Sequence, residues 1–378
     1  MGIKIAIDAS RNRSGGAKAH LIGIIKDGNP LQYGIEEVHI WSYASLLNAL
    51  PNHPWLIKHS PKELGMSILK QIWWQYHSFP KEVKKAGCDI LLSTDAGTVC
   101  IYHPSVVMSR DMLSYERREI ARYGLGMQWL RLFILRFVQS RSLKNANASI
   151  FLTRYAAETI QSWTGKIAQY KVIPHGVSDV FRQDVKATDA ILNKGEEVKC
   201  LYVSNVAMYK HQWNVAKAFE ILQQRGFNAS ILFAGGGSGP AQQKYEAAIA
   251  AADPRGKFTS QINKVSHEMV PKLLSNADIF IFASSCENMP NTLVEAMAAG
   301  LPIACSNLGP MPEVLKDGGV YFDPENPDSI AGAVVSLLED DKLKRTIAHR
   351  AKQLSEQYSW KRCADETYQY LGEIYNRK

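Results

Sequence analysis

The feature that most constrains the fold is alternation: short β-branched, apolar runs are separated by longer segments of helical period, again and again along the chain. "IKIAID", "VHIWSY", "DILLST", "PSVVMS" and "ASIFLT" read as strands of one set. "YKVIPHG", "VKCLYVS", "ASILFAGGG", "GKFTSQI", "ADIFIFASS", "LPIACS" and "GGVYFDP" read as a second. Apolar strands spaced by helices are the signature of a parallel sheet with both faces covered. With 378 residues the chain can bury two such cores. The polar, weakly periodic stretch from Gly176 to Glu197 falls between the sets and predicts domains at 1–176 and 177–358. Residues 359–378 read as an amphipathic helix, with Tyr368, Leu371 and Ile374 on one side, that packs back on the first domain. The expected fold class is α/β: two Rossmann-like, doubly wound parallel-sheet domains with a cleft between them.

Composition narrows the function. A chain that is 46% hydrophobic and 21% charged is neither disordered nor fibrous. Its six cysteines lie far apart with no C-x-x-C pair, which argues against a zinc ribbon or a disulfide framework and predicts a reducing, cytoplasmic setting. The opening "MGIKIAIDAS" is strand-like rather than a secretion signal, and no run approaches the roughly 20 apolar residues of a spanning helix. The formal charge of +8 favours anionic partners: phosphorylated substrates, nucleic acid or an acidic membrane face. No nucleic-acid-binding motif accompanies the charge, so nucleic acid is not expected as a partner.

In open α/β sheets, ligands bind at the carboxyl ends of strands. The stretch "SSCENMPNTLVEAMAAGLPIACSNLGPMPEVL" sits there, following the strand "ADIFIFASS". A helix begins near Asn291 and Thr292 and closes at Gly300, and its first amides and dipole suit an anion such as a phosphate. Glu287 precedes the helix and Glu295 lies eight positions on, so both carboxylates can border one pocket and accept hydrogen bonds from sugar or ribose hydroxyls. The alternative is two glutamates that solvate a loop and a helix face.

This E-x7-E arrangement, within "FASSCENMPNTLVEAMAAGLPIACSNLGPMPEVLKDGGVYFDP", resembles retaining glycosyltransferases of family 4, which have the two-domain GT-B fold. "VIPHGV", "LYVSNVAMYKHQW" and, more weakly, "RSGGAKAHL" extend the resemblance across nearly the whole chain. It implies that Glu287 contacts donor-sugar hydroxyls, that Glu295 contacts the nucleotide ribose, that Asn288 and Met289 belong to the donor-binding loop, and that the backbone of Asn291, Thr292 and Leu293 cradles the diphosphate. Lys210, in the loop after "KCLYVS", corresponds to one of a basic pair on that diphosphate. The other position reads Asn205 where the family usually has arginine, so Arg11, Arg13 or His175 would have to substitute. Gly15 and Gly16 let the backbone approach a phosphate or the sugar, or simply form a tight turn. For Gly235, Gly236 and Gly237 in "FAGGGSGP" a turn is the favoured reading.

On the acceptor side, many members carry a His-Asp pair where this chain reads Arg110 and Asp111. Asp111 is then the candidate to orient or deprotonate the acceptor hydroxyl, with Glu116 a weaker one. A helix N-cap explains Asp111 equally well. His175, where asparagine is common, either faces the cleft or packs as a hinge histidine. The resemblance implies retention at the anomeric carbon. No D-x-D motif is present and neither a cofactor nor a metal is expected.

Two segments, "KQIWWQYHSFPKEVKK" and "MQWLRLFILRFVQSRSLK", mix aromatic and basic residues as interfacial segments do. In the second, Trp129, Leu130, Phe133, Ile134 and Phe137 form a stripe flanked by Arg131, Arg136 and Arg141. Either this helix packs in the first domain, or it meets an anionic membrane where a lipid-linked acceptor waits, as in O-antigen or capsule assembly. The expected function is therefore hexose transfer from a nucleoside-diphosphate sugar, GDP-mannose slightly favoured over UDP-sugars, to a glycan or lipid-linked acceptor. The alternatives are a nucleotide-sugar epimerase and a catalytically silent sugar-nucleotide-binding subunit. A dinucleotide oxidoreductase lacks its G-x-G-x-x-G after the first strand.

Overall fold

The structure is a computed structural model that describes residues 2–13, 15–182 and 196–377. It divides into two compact units, Met1–Gly176 with Tyr358–Lys378, and Val177–Gln357. Most of the polar stretch that separates the two strand sets, 183–195, lies outside the described residues.

The first unit is built on seven strands: β1 (Ile3–Asp8), β2 (Ile35–Trp41), β3 (Leu56–His59), β4 (Ile90–Ser93), β5 (Ser105–Met108), β6 (Ala148–Phe151) and β7 (Tyr170–Val172). They lie in the order β3-β2-β1-β4-β5-β6-β7, with every pairing parallel. The second unit holds β8 (Val198–Val203), β9 (Ala229–Ala234), β10 (Thr259–Ile262), β11 (Ile279–Phe282), β12 (Ile303–Ser306) and β13 (Val320–Phe322). Their order is β10-β9-β8-β11-β12-β13, again all parallel. The central strands explain why the sequence reads as unbroken apolar runs: Ile5, Ala6 and Ile7, like Ile279 to Phe282, are fully buried because helices cover both faces.

Two strand assignments change. Tyr170–Val172, expected in the second set, pairs with β6 through Ser149↔Tyr170 and closes the edge of the first sheet. β3 was not expected at all. Its residues, "LIKH", are half-buried throughout and carry a lysine and a histidine, the character of an edge strand.

The helix Trp360–Asn376 belongs to the first unit. The Ser359 side chain accepts from the Arg362 amide and caps it, which satisfies one of the orphan donors of the first turn. Its buried face includes Cys363, Ala364, Thr367, Tyr368, Leu371 and Ile374. That face meets the helix Gly15–Asp27, where the Tyr368 hydroxyl donates to the Ile24 carbonyl at 3.3 Å. The approach is close enough that a Cβ on Gly23 would lie 2.2 Å from the Trp360 ring.

The two aromatic-basic segments behave differently. In the first, Trp74 is buried and its Nε1 donates to Glu82 at 2.9 Å, as does Nε1 of Trp41, so half of this segment is core. Leu69, Trp73 and Tyr76 stay exposed. In the second, the helix Met127–Asn145 buries Leu132, Gln139 and Leu143. The expected stripe faces water instead: Leu130, Phe133, Ile134 and Phe137 are 44% to 67% exposed. The helix does pack in the first unit, but through a face other than the stripe. Among the described residues no helix is long and apolar enough to cross a membrane.

Candidate functional site

In the second unit the strand order reverses between β8 and β11, which lie side by side, so the loops leaving their carboxyl ends diverge and open a crevice. The β8 loop ends in a single 3-10 turn, Met208–Lys210, followed by His211 at φ 52°. Left-handed backbone is uncommon for a residue other than glycine, and several bonds hold it here. Tyr202 donates to the Lys210 carbonyl at 2.7 Å, Ser285 N donates to Tyr209 O at 2.8 Å, and His211 Nε2 lies 2.8 Å from Ser285 Oγ. These contacts tie the β8 loop to the β11 loop and bring Lys210 Nζ onto Glu287 Oε1 as an ion pair. The two side chains are 9% and 16% exposed.

Glu295 sits within the helix Asn291–Ala298 and is buried. Its Oε1 lies 2.8 Å from Nε2 of His267, in the turn after β10, while its buried Oε2 has no hydrogen-bond partner among the described residues. That bond raises the His267 pKa above its ordinary value, against the opposing effect of burial. The His267 ring also stands edge-on to Phe181, with centroids 5.3 Å apart. Sequence reasoning missed His267, since "NKVSHEMV" carries no motif.

The start of the same helix has no side-chain cap, because the N-cap residue is Pro290. Two of the three expected cradle amides are already engaged: Asn291 N donates to Met289 O and Leu293 N to Pro290 O, both at 3.0 Å. Among the described residues the Thr292 amide has no acceptor, which leaves it free to meet an anion. Asn288 and Met289 are buried in the preceding loop. Asn205 is exposed, and its carbonyl accepts from Gln212 Nε2 and Ser204 Oγ, each at 2.9 Å. The three glycines have a sharper reason than a turn. A Cβ on Gly235 would come within 2.3 Å of Ser204 O and one on Gly237 within 2.5 Å of Val206 O, so the β9 loop lies directly against the β8 loop.

The first unit holds the remaining candidates. Gly15, at φ +56°, and Gly16 open the helix that follows β1, and the Gly15 conformation favours glycine even though the space around it is open. His175 is buried and stacks on His20 at 4.8 Å, with Trp360 5.7 Å away, the packed arrangement of the two expected for it. Burial, with His175 and Arg110 adding to it, pushes the His20 pKa well down. Arg13 donates to Gln71 Oε1 at 2.8 Å.

Asp111 does not cap a helix: the next one, Arg117–Ala121, has Glu116 as its N-cap residue, with no side-chain bond. The Asp111 carboxylate instead accepts from the Leu113 amide at 3.3 Å and Gln139 Nε2 at 3.4 Å, and burial raises its pKa. Glu116 accepts from the Tyr155 hydroxyl. Arg110 reaches Asp95 at 3.1 Å while its Nε and one terminal nitrogen are buried without partners among the described residues. No sequence signal pointed to that pair.

Residues 184–354 match the family Glycosyl transferases group 1. The O-antigen chain mannosyltransferase B of Escherichia coli is 33% identical over 103 residues, 27% of each chain. The first curated relatives matched are spanned over only 27%, 46% and 64% of their own lengths. Among solved structures, sucrose-phosphate synthase from Thermosynechococcus elongatus superposes with a TM-score of 0.78 over 100% of both chains at 17% identity. Anabaena HepE in complex with UDP and glucose gives 0.72 over 98% of this chain and 99% of that one, at 16% identity. The two all-parallel units have the GT-B fold of these solved structures.

Proposed function

We propose that the chain is a retaining glycosyltransferase of family 4 that moves a hexose from a nucleoside-diphosphate sugar to a glycan or lipid-linked acceptor. One observation carries this reading. At the β8/β11 switch point Lys210 pairs with Glu287, which shares a loop-and-helix stretch with a buried carboxylate, Glu295, that has one oxygen unmet among the described residues. A buried acceptor without a donor is costly to keep, and ribose hydroxyls supply donors.

On donor binding, Lys210 turns from Glu287 to the diphosphate, where the Thr292 amide and the helix dipole also act. Glu287, released, takes hydroxyls of the donor sugar. Departure of the nucleoside diphosphate leaves an oxocarbenium-like centre, and the acceptor attacks on the same face with a phosphate oxygen taking its proton. Stabilisation of the leaving group is then the largest catalytic term. Asp111, with its raised pKa, is the acceptor-side candidate for orienting the hydroxyl. The mannosyltransferase named among the relatives favours mannose as the hexose, for which GDP-mannose is our candidate donor, whereas the UDP complex of the HepE structure keeps a UDP-sugar in play. The exposed stripe on the helix Met127–Asn145 favours work at an anionic, cytoplasmic membrane face, in keeping with polysaccharide or O-antigen assembly.

The test is a thermal-shift panel of GDP, UDP, dTDP, ADP, CMP and NAD on the native chain and on Glu295→Ala. A ligand at one hundred times its dissociation constant adds about 2.7 kcal/mol, worth several degrees in melting temperature. One nucleoside diphosphate should give that shift and lose it in the variant. No shift with any diphosphate, or a shift with NAD alone, overturns the reading.

A further inference from the structure

A second recess of about 260 Å³ lies wholly within the first unit, lined by Arg117, Ile120, Trp129, Phe133, Arg136 and Trp163 among others. Both guanidiniums lie over one indole: Arg136 Cζ is 3.9 Å and Arg117 Cζ 4.5 Å from the Trp163 ring centre. The ring is fixed from behind, since its Nε1 donates to the Tyr115 carbonyl at 2.8 Å. Neither arginine has a carboxylate partner among the described residues, and no acidic side chain lines the recess. The neighbouring Glu119 is already paired with Arg122, and Glu116 accepts from Tyr155. Among the described residues the two like charges are thus compensated chiefly by aromatic rings, Trp163 under both and Phe133 at 5.3 Å from Arg136, and burial with Arg117, against Tyr115, lowers the Arg136 pKa. Such a pair is pre-organised for an anion, and guanidinium forks match phosphoryl oxygens two at a time.

The wall opposite in character is apolar. Trp129 and Phe133 stack at 5.6 Å, and from Phe133 the exposed stripe continues along the helix through Ile134 and Phe137. A free phosphate would use the arginines and leave this wall wet. We propose that the recess binds the phosphoryl headgroup of an amphiphile, with the phosphate on Arg117 and Arg136 and the first part of the apolar chain along Trp129 and Phe133. The site deepens the reading of a lipid-linked acceptor and rests on it for the ligand's role.

The experiment titrates the full chain with dodecyl phosphate below its critical micelle concentration, by calorimetry and tryptophan fluorescence, beside inorganic phosphate and dodecyl maltoside. No donor nucleotide is present, so failure here leaves the donor site standing, and failure of the nucleotide panel leaves this result standing. Saturable binding of dodecyl phosphate at least tenfold tighter than either control is expected. Arg117→Gln, at an exposed position, and Arg117→Gln with Arg136→Gln should each weaken it, the double variant by more than tenfold, with the melting temperature and the nucleotide shift unchanged. Equal binding of inorganic phosphate, equal binding of the neutral amphiphile, or full binding by the folded double variant would each overturn the proposal.

Discussion

The two sheets place polar side chains at equivalent points, the carboxyl ends of strands where the order reverses, and use them in opposite ways. At the β1/β4 switch of the first unit, both oxygens of the buried Asp8 carboxylate are taken: Oδ1 accepts from the Ser10 amide at 3.1 Å and hydroxyl at 2.6 Å, and Oδ2 from Gln75 Nε2 at 2.7 Å. Thr94 adds bonds to the Asp8 carbonyl and to Asn12 Oδ1. At the β8/β11 switch of the second unit, Glu295 Oε2 is buried and unmet among the described residues, and Lys210 Nζ pairs with Glu287 beside the Tyr209 and Phe282 rings. Topology offers a site in both places. On the proposed function, the ligand goes to the switch point with hydrogen-bond valences left over.

The largest effects should come from the ion pair. Lys210→Ala and Glu287→Ala are each expected to lower the transfer rate about 10²–10³-fold, the range for removing one pre-organised charge contact. Lys210→Ala also strands a mostly buried carboxylate and should cost up to about 3 kcal/mol of stability, the lower end for breaking a buried pair. Rates measured with saturating donor separate the two effects. Next is Glu295→Ala, expected to weaken nucleotide binding about 10–100-fold, as befits loss of a charged hydrogen-bond acceptor, with little change in melting temperature.

The mirror experiment in the first unit reads stability instead. Asp8→Ala leaves the amide of Gln75 and the hydroxyl of Ser10 without their acceptor and should cost about 1–3 kcal/mol. Nucleotide affinity should stay as it was. If Asp8→Ala weakened nucleotide binding as much as Glu295→Ala does, the division between a self-satisfied switch point and an open one would be wrong.

Much of this was readable from the chain because it depends on local pattern. Ile279 to Phe282 can only be a buried strand, and Pro290 followed by "NTLVEAMAAG" fixes a helix between a proline and the left-handed Gly300. What escaped depends on distance in space. Lys210 and Glu287 are 77 positions apart, and each was read for the ligand it would touch rather than for the other. His267 reaches Glu295 across 28 positions from a loop with no signature. β3 is an edge strand whose half-burial leaves no alternating pattern to recognise. Asp111 illustrates a third limit: a short polar side chain before a helix suggests a cap, and only the placement of Gln139 shows that the carboxylate is bound elsewhere.

The finest test of the comparison uses pH. Because Glu295 raises the His267 pKa above 6.5, the charged pair stabilises the folded second unit below pH 6.5, and that contribution fades as pH rises through the higher folded value. The His267 side chain is 60% exposed, so solvent screens the pair and the effect is small. In His267→Ala the melting temperature should therefore fall slightly below that of the native chain at pH 6, and the gap should close above neutrality. Asp8→Ala should show no such closing between pH 6 and 8, since the partners that it strands, Ser10 and Gln75, are neutral groups that do not titrate in that range. A gap for His267→Ala that is independent of pH would mean that Glu295 Oε1 is held by packing rather than by the imidazolium. The unmet Oε2 could then no longer be read as the remaining half of a carboxylate anchored by His267.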